Sequence, residues 1–266
     1  MNLLARTRVR RELRRQGFAV VDLLGPAQVA ACQEAVDDLE VPTDHGFFVT
    51  IYDVWGAQAR AFDQRLRPVV APSVARVLPG FAPFLVAATT KGARSTKPVK
   101  FHQDWTYTDE RTTPTVFAWS PLVDVDEQSG CLHVVPGSHR WTDGLRASRS
   151  LEATEHLQDE FAARSTAVPL RAGQAVLFHP GTVHGSGPNP TDRPRPAITV
   201  AAAPAGAAFV HFHLADDGTV SGYQVDDAFF TTNRYGSAPD GRPPLEPWAP
   251  VVAAADFVAR LRPPPD

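Results

Sequence analysis

Apolar and polar positions change rhythm part-way along this chain. Before about Leu78 the spacing is largely helical. Thr7–Gln16 reads as a short helix, with Thr7 as N-cap and Gly17 in the C-cap role. Phe18–Leu24 (FAVVDLL) is apolar and β-branched and predicts a strand. Gly25-Pro26 opens a second helix to about Glu40, with Pro26 where its missing N–H costs nothing. A third helical stretch covers roughly Ala57–Leu78, and Pro68 and Pro72 are expected to break it. From Phe84 onward short apolar runs alternate with clusters of Gly, Pro, Asp and Ser. The runs are Phe84–Thr90, Val99–Trp105, Thr115–Val125, Cys131–Val135, Ala167–Leu170, Ala175–His179, Ala197–Ala203 and Ala207–Leu214. Runs of this length and number predict an antiparallel sandwich or barrel rather than βαβ units.

One domain accounts for the whole pattern, since β sandwiches and barrels of this size occur as single units. Residues 7–80 provide helical support, 84–214 the β core and 239–266 a tail with a short helix near Ala253–Leu261. The charged excursion 137–164 is too long for a passive turn and is expected to act as a lid. The chain has 266 residues, 43% of them hydrophobic and 21% charged, and needs no disulfide or structural metal to build a core. A net charge of −3 gives no long-range attraction to nucleic acid or to an anionic membrane. Arg6, Arg8, Arg10, Arg11, Arg14 and Arg15 interrupt any signal-peptide-like apolar run. Such a basic start can serve a membrane surface or a nucleic acid, but a solvated helix leading into the fold is the plainer expectation. No stretch is long and apolar enough to span a bilayer. Cys32 and Cys131 form neither a disulfide framework nor a metal motif, so a reducing cytoplasm is expected.

Chemistry enters with His102-Gln103-Asp104, set in the strand-like VKFHQDW. Side chains of an extended chain alternate faces, so an imidazole and a carboxylate project side by side. A third ligand must come from elsewhere, and His184, in FHPGTVHGSG, is the candidate. Two histidines and one carboxylate leave three adjacent octahedral positions open, the arrangement of non-haem iron(II) oxygenases. A His-X-Asp tripeptide alone is weak, because chance matches are common. The residues after His184 add to it. Arg195 follows eleven positions on and opens the apolar run RPAITV. A buried arginine needs an anionic partner, and its planar fork suits a carboxylate such as the distal end of 2-oxoglutarate. The Ser186 hydroxyl can donate a second hydrogen bond to that group.

The chain resembles the phytanoyl-CoA dioxygenase family of Fe(II)/2-oxoglutarate-dependent oxygenases. The likeness is carried by GFAVVDLL at 17–24, FHQDW at 101–105, FAWSPLVDVDEQSGCLHVVPGSHR at 117–140 and GQAVLFHPGTVHGSGPNPTDRPR at 173–195. It implies a mainly β, cupin-like jelly roll (a double-stranded β-helix) with N-terminal helices packed on one sheet. It also implies Fe(II) held by His102, Asp104 and His184, with 2-oxoglutarate and O₂ as co-substrates. Arg195 then binds the distal carboxylate, and Ser186 and Trp119 stand at positions that resemble co-substrate contacts. The element Gly137-Ser138-His139 is expected to be structural, and His133, His179, His211 and His213 to be packed or surface residues rather than ligands. Asp104 favours hydroxylation or a related oxidation, since related halogenases are expected to carry Ala or Gly there.

The expected activity is hydroxylation, or another oxidation of an unactivated C–H bond, of a small molecule, with a natural-product biosynthetic intermediate as the expected substrate and release of succinate and CO₂. Two rivals stand beside it: a cupin-type metal dioxygenase that does not use 2-oxoglutarate, and a catalytically silent jelly-roll binding protein. Arg94, Lys97 and Lys100 can meet an anionic group or form a solvated face. The segment His45–Trp55 and the 137–164 excursion are the expected specificity elements. No nucleic-acid or membrane partner is expected, and the protein should be a monomer or homodimer.

Overall fold

A computed structural model describes residues 3–39, 46–148, 150–234, 236–240 and 244–261. The N-terminal part holds helix α1 (Leu3–Gln16), strand β1 (Phe18–Asp22), helix α2 (Pro26–Asp37), strand β2 (Phe47–Val49), a single turn α3 (Thr50–Asp53) and the long helix α4 (Ala57–Val77). Strands β3 (Phe81–Lys91), β4 (Val99–His102), β5 (Val116–Pro121) and β6 (Leu132–Val134) follow. The excursion contains 3₁₀ turns at Ser138–Arg140 and Ser150–Leu157 and helix α5 (Gln158–Arg164). After it come β7 (Thr166–Val168), β8 (Gln174–Phe178), β9 (His184–Ser186), β10 (Arg195–Pro204), β11 (Phe209–Leu214) and β12 (Val220–Val225). The chain closes with α6 (Phe229–Thr232), β13 (Pro244–Leu245) and α7 (Ala254–Leu261). Glu40 and His45, where the sequence ends α2 and starts a specificity segment, lie outside the described residues.

Antiparallel pairing gives a six-stranded sheet in the order β1-β8-β5-β10-β3-β2 and a four-stranded sheet in the order β4-β9-β6-β7. Together they form the jelly roll. The six-stranded sheet is covered on both faces, so its strands read as continuous apolar runs rather than alternating ones. In β5, Val116 and Ala118 pack in a cluster with α1, α2 and α4, while Phe117 and Trp119 face the interior cluster shared with Leu132, Val134 and Val168 of the smaller sheet. In β8, Ala175 and Leu177 face the helices and Val176 and Phe178 the interior. The period of two is intact; the helices supply the apolar surroundings on the outer side.

Several elements depart from the sequence expectation. Helix α4 runs unbroken through Pro68 and Pro72. Both prolines lie on the exposed side of the helix, where a carbonyl that loses its N–H partner is open to solvation. The strand β4 stops at His102, short of the apolar run. Strands β1 and β2, which precede the predicted β core, are the two edges of the large sheet. The run Ala207–Leu214 belongs instead to a separate three-stranded sheet, β11-β12-β13. A β-bulge in β3 sets Phe84 between the partners of Ala201 and Ala202 and turns both Phe84 and Leu85 inward.

α1 ends at Gly17, whose φ of +82° is natural only for glycine. A Cβ there would stand 2.5 Å from the side chains of His139 and Thr182. The helix end therefore seats directly against the loop that leads to His184. Among the described residues no helix is long and apolar enough to cross a membrane.

Candidate metal centre and co-substrate cavity

β4 and β9 are neighbours in the smaller sheet, with His102 directly opposite His184. The imidazole centroids are 4.3 Å apart. The register therefore joins two histidines that are far apart in sequence. Asp104 lies past the end of β4, where its main-chain N–H donates to the Pro180 carbonyl at 2.9 Å. Its carboxylate oxygens stand 3.8 Å from His102 Nε2 and 3.8 Å from His184 Nε2. Gln103, between them, turns away to donate to the Gly181 carbonyl at 2.6 Å. The ligand atoms of His102, Asp104 and His184 lie within 4.8 Å of one another, and no other triple of His, Cys, Asp or Glu converges this way among the described residues.

The donor set fits a divalent metal ion. His102 Nδ1 lies 2.7 Å from the Lys100 carbonyl and His184 Nδ1 lies 2.9 Å from the Thr182 carbonyl. A carbonyl can only accept, so both protons sit on Nδ1 and both Nε2 lone pairs face Asp104. Burial, and then the neighbouring His102, hold the His184 imidazole down to about 4, so it is neutral and ready to ligate at ordinary pH.

The six residues singled out from the sequence (His102, Asp104, Trp119, His184, Ser186 and Arg195) all line one cavity of about 340 Å³. Arg195 is the first residue of β10 and is buried at 2% exposure. It donates to the Thr89 carbonyl at 3.3 Å, and its guanidinium lies 5.1 Å over the Trp119 ring. The Nε atom of Arg195 has no partner, and burial pushes the group down to about 10. Its nearest relations are a carbonyl and an aromatic face, which leaves an anion unsupplied by the protein. Trp119 is fixed by its own Nε1–H, donated to Thr89 Oγ1 at 3.3 Å.

Lys91 escapes the sequence reading. Lys91, across the β3–β10 ladder from Arg195, is fully buried and donates to the carbonyls of Lys97 (3.2 Å), Ser186 (3.4 Å) and Gly187. Burial, with Arg195 nearby, pushes it down to about 7. Nothing in TTKGA marks this lysine as buried; only the pairing of β3 with β10 does. The segment expected to set specificity supplies Phe47, Val49, Ile51 and Tyr52 to the cavity wall. At the mouth Glu155 pairs with Lys100, and the Gln158 amide bonds both to the N–H (2.7 Å) and the C=O (3.0 Å) of Phe101 on the free edge of β4. His139 packs against His179 at 5.7 Å, at the root of the excursion and away from the triad.

The sequence profile of phytanoyl-CoA dioxygenase matches residues 13–197, most of the chain and all six site residues. The chain belongs to the phytanoyl-CoA dioxygenase family. Within it, the mouse peroxisomal phytanoyl-CoA dioxygenase is 33% identical over 105 residues, 37% of this chain and 31% of that enzyme. A probable phytanoyl-CoA dioxygenase of Caenorhabditis elegans is 32% identical over 110 residues, 37% of this chain and 34% of its own. The matches thus span about a third of the length of these relatives. Among solved structures, the non-heme alpha-ketoglutarate-dependent epimerase SnoN from nogalamycin biosynthesis is similar over 95% of this chain and 97% of its own, at 25% identity and a TM-score of 0.59.

Proposed function

We propose that this phytanoyl-CoA dioxygenase family member is an Fe(II)/2-oxoglutarate-dependent oxygenase acting on a small, largely apolar molecule. The observation that carries the reading is one cavity holding both a two-histidine, one-carboxylate donor set and a buried arginine with an unpartnered Nε. A metal dioxygenase without 2-oxoglutarate has no use for that arginine, and a silent binding module has no use for the triad.

His102, Asp104 and His184 would hold the iron, leaving three adjacent positions toward the cavity. Arg195 and Ser186 would receive the far carboxylate of 2-oxoglutarate. Iron with this co-substrate would supply the oxidising power: O₂ is the oxidant, and 2-oxoglutarate is consumed to succinate and CO₂. The chain's own contribution is placement and exclusion of water. Leu85, Phe117 and Phe178 give the cavity apolar lining, with the Phe178 ring 4.6 Å from that of His184. Phe47, Ile51 and Tyr52 form a wall against which an apolar substrate body packs. Lys100, Glu155 and Gln158 put polar groups at the mouth, suited to a substrate with a polar end.

Hydroxylation is the reading we favour. The likeness to SnoN supports inversion of a carbon centre as a second outcome and a natural-product intermediate as the substrate. The buried, free thiols of Cys32 and Cys131 support work in a reducing compartment. The test uses purified protein with Fe(II) and 2-oxoglutarate. Without O₂ a charge-transfer absorption band is expected; with O₂ and substrate, succinate should form in step with product. Both signals should vanish in His102→Ala and Asp104→Ala. If neither signal occurs in the wild type, the co-substrate reading fails. A product heavier by one oxygen atom identifies hydroxylation, whereas unchanged mass with altered stereochemistry identifies epimerisation.

A further inference from the structure

His102 and His184 are held by the sheet ladder, but Asp104 stands beyond the end of β4. Something else must hold the carboxylate in register with the two imidazoles. Its main-chain N–H is taken by Pro180. Its main-chain carbonyl accepts from Arg146 Nε at 2.7 Å. Arg146 is only 5% exposed, and its Nη2 donates to Glu110 at 2.5 Å. One guanidinium therefore spans from the metal-binding segment to a partly buried carboxylate (side-chain exposure 18%).

The backbone around Arg146 is itself fixed. Arg146 N–H donates to Thr106 Oγ1 and Thr106 N–H donates to the Arg146 carbonyl, both at 3.0 Å. Leu145 exchanges main-chain bonds with Pro250 and Val252, and Ser148 N–H donates to Phe212. Residues 145–148, inside the excursion that the sequence marks as a lid, are thus laced into the scaffold on both sides.

We infer that Arg146 is a positioning residue for the metal carboxylate: braced by Glu110, it pins the Asp104 main chain and so sets the third ligand against His102 and His184. The inference rests on the metal reading above. The geometry is that of an outer partner that orients a ligand, and removal of such partners weakens metal binding by about 10–100-fold. Loss of the guanidinium leaves Asp104 anchored at its N–H alone and free to rotate away from the imidazoles.

The experiment measures Co(II) binding to the full chain by titration and by the visible absorption of the bound ion. Four proteins are compared: wild type, R146M, R146K and R67M. Arg67 makes a different ion pair on α4 and controls for lost stability alone. R146M should bind Co(II) about 10–100-fold more weakly, with an altered Co(II) spectrum. R146K, which keeps the charge but not the fork, should lie between R146M and wild type. R67M should melt earlier yet keep the wild-type affinity and spectrum. Wild-type affinity and spectrum in R146M overturn the inference, as does a loss in R67M equal to that in R146M. If R146M does not fold, R146K decides: wild-type affinity overturns the inference, and weaker binding with an intact circular dichroism spectrum supports it. A wild type that binds no Co(II) removes the metal reading itself, whereas binding that is equal across the Arg146 variants removes only the role of Arg146.

Discussion

Arg195 is the residue on which the co-substrate reading turns. It is buried, stacked over Trp119, bonded to one carbonyl and left with an unpartnered Nε. A hydrogen bond to a charged group contributes about 1.5–3 kcal/mol. Arg195→Gln should therefore weaken 2-oxoglutarate binding by roughly 10–150-fold, while Co(II) affinity stays that of the wild type. Titration of 2-oxoglutarate into metal-loaded protein measures this, and an unchanged affinity would remove Arg195 from the co-substrate site. Sequence spacing brought Arg195 forward as a candidate, eleven positions after His184. Lys91 gave no comparable signal, because a lysine in TTKGA reads as solvated until β10 covers it. Arg146 was hidden for the same reason. In the excursion 137–164, with nine Arg, Asp or Glu residues scattered among polar neighbours, no pattern singles out Arg146 as turning inward.

At the scale of elements, the docking of α4 on β3 depends on a single buried acid. Asp63 has no exposed surface; it accepts from the Val86 main-chain N–H at 2.8 Å and from Arg67 at 2.6 and 3.1 Å. Asp63→Ala would leave the Val86 N–H unpaired, and Arg67 with Asp227 and the Phe84 carbonyl. A buried donor left unpaired costs about 1–3 kcal/mol. Chemical denaturation should show a loss of that size, with Asp63→Asn intermediate because its amide oxygen still accepts from Val86. A loss below about 1 kcal/mol, the scale of an exposed pair, would mean that the pair does not hold the helix. The hydropathy pattern located α4 and β3 but gave no reason to place an aspartate between them. It also overstated the prolines: Pro68 and Pro72 lie on the exposed side of α4, and the helix runs on through both.

Over the whole molecule, His179, His184 and His211 couple stability to pH. Burial pushes His179 down to about 3 and His184 and His211 to about 4. In the unfolded chain each titrates near about 6.5. Between these values the unfolded state binds protons that the folded state refuses, so stability falls as pH falls. It should already fall from pH 8 to 7, because Lys91 stands at about 7 in the folded chain against about 10.4 unfolded, and decline further from about 6.5 toward 4, by up to about 1.4 kcal/mol per pH unit for each such histidine. Denaturant midpoints of the metal-free protein across that range provide the measurement. His179→Asn, which keeps an acceptor for the Gly181 N–H now bonded at 2.9 Å, should make the decline shallower by one proton. An equal slope in that variant would show that His179 is already charged in the folded state.

The sequence by itself pointed to the β class and brought forward His102, Asp104, Trp119, His184, Ser186 and Arg195, six of the residues that line the cavity. It could do so because the period of side chains along an extended strand is a local property and the motifs around these residues are short contiguous stretches. Tertiary structure alone decided which strand lies beside which, and therefore that His102 meets His184 across one ladder. It also decided that β1 and β2 close the edges of the large sheet and that Lys91, Asp63 and Arg146 are buried. Burial of a charged side chain depends on what the rest of the chain brings over it, and a linear pattern of neighbours does not contain that.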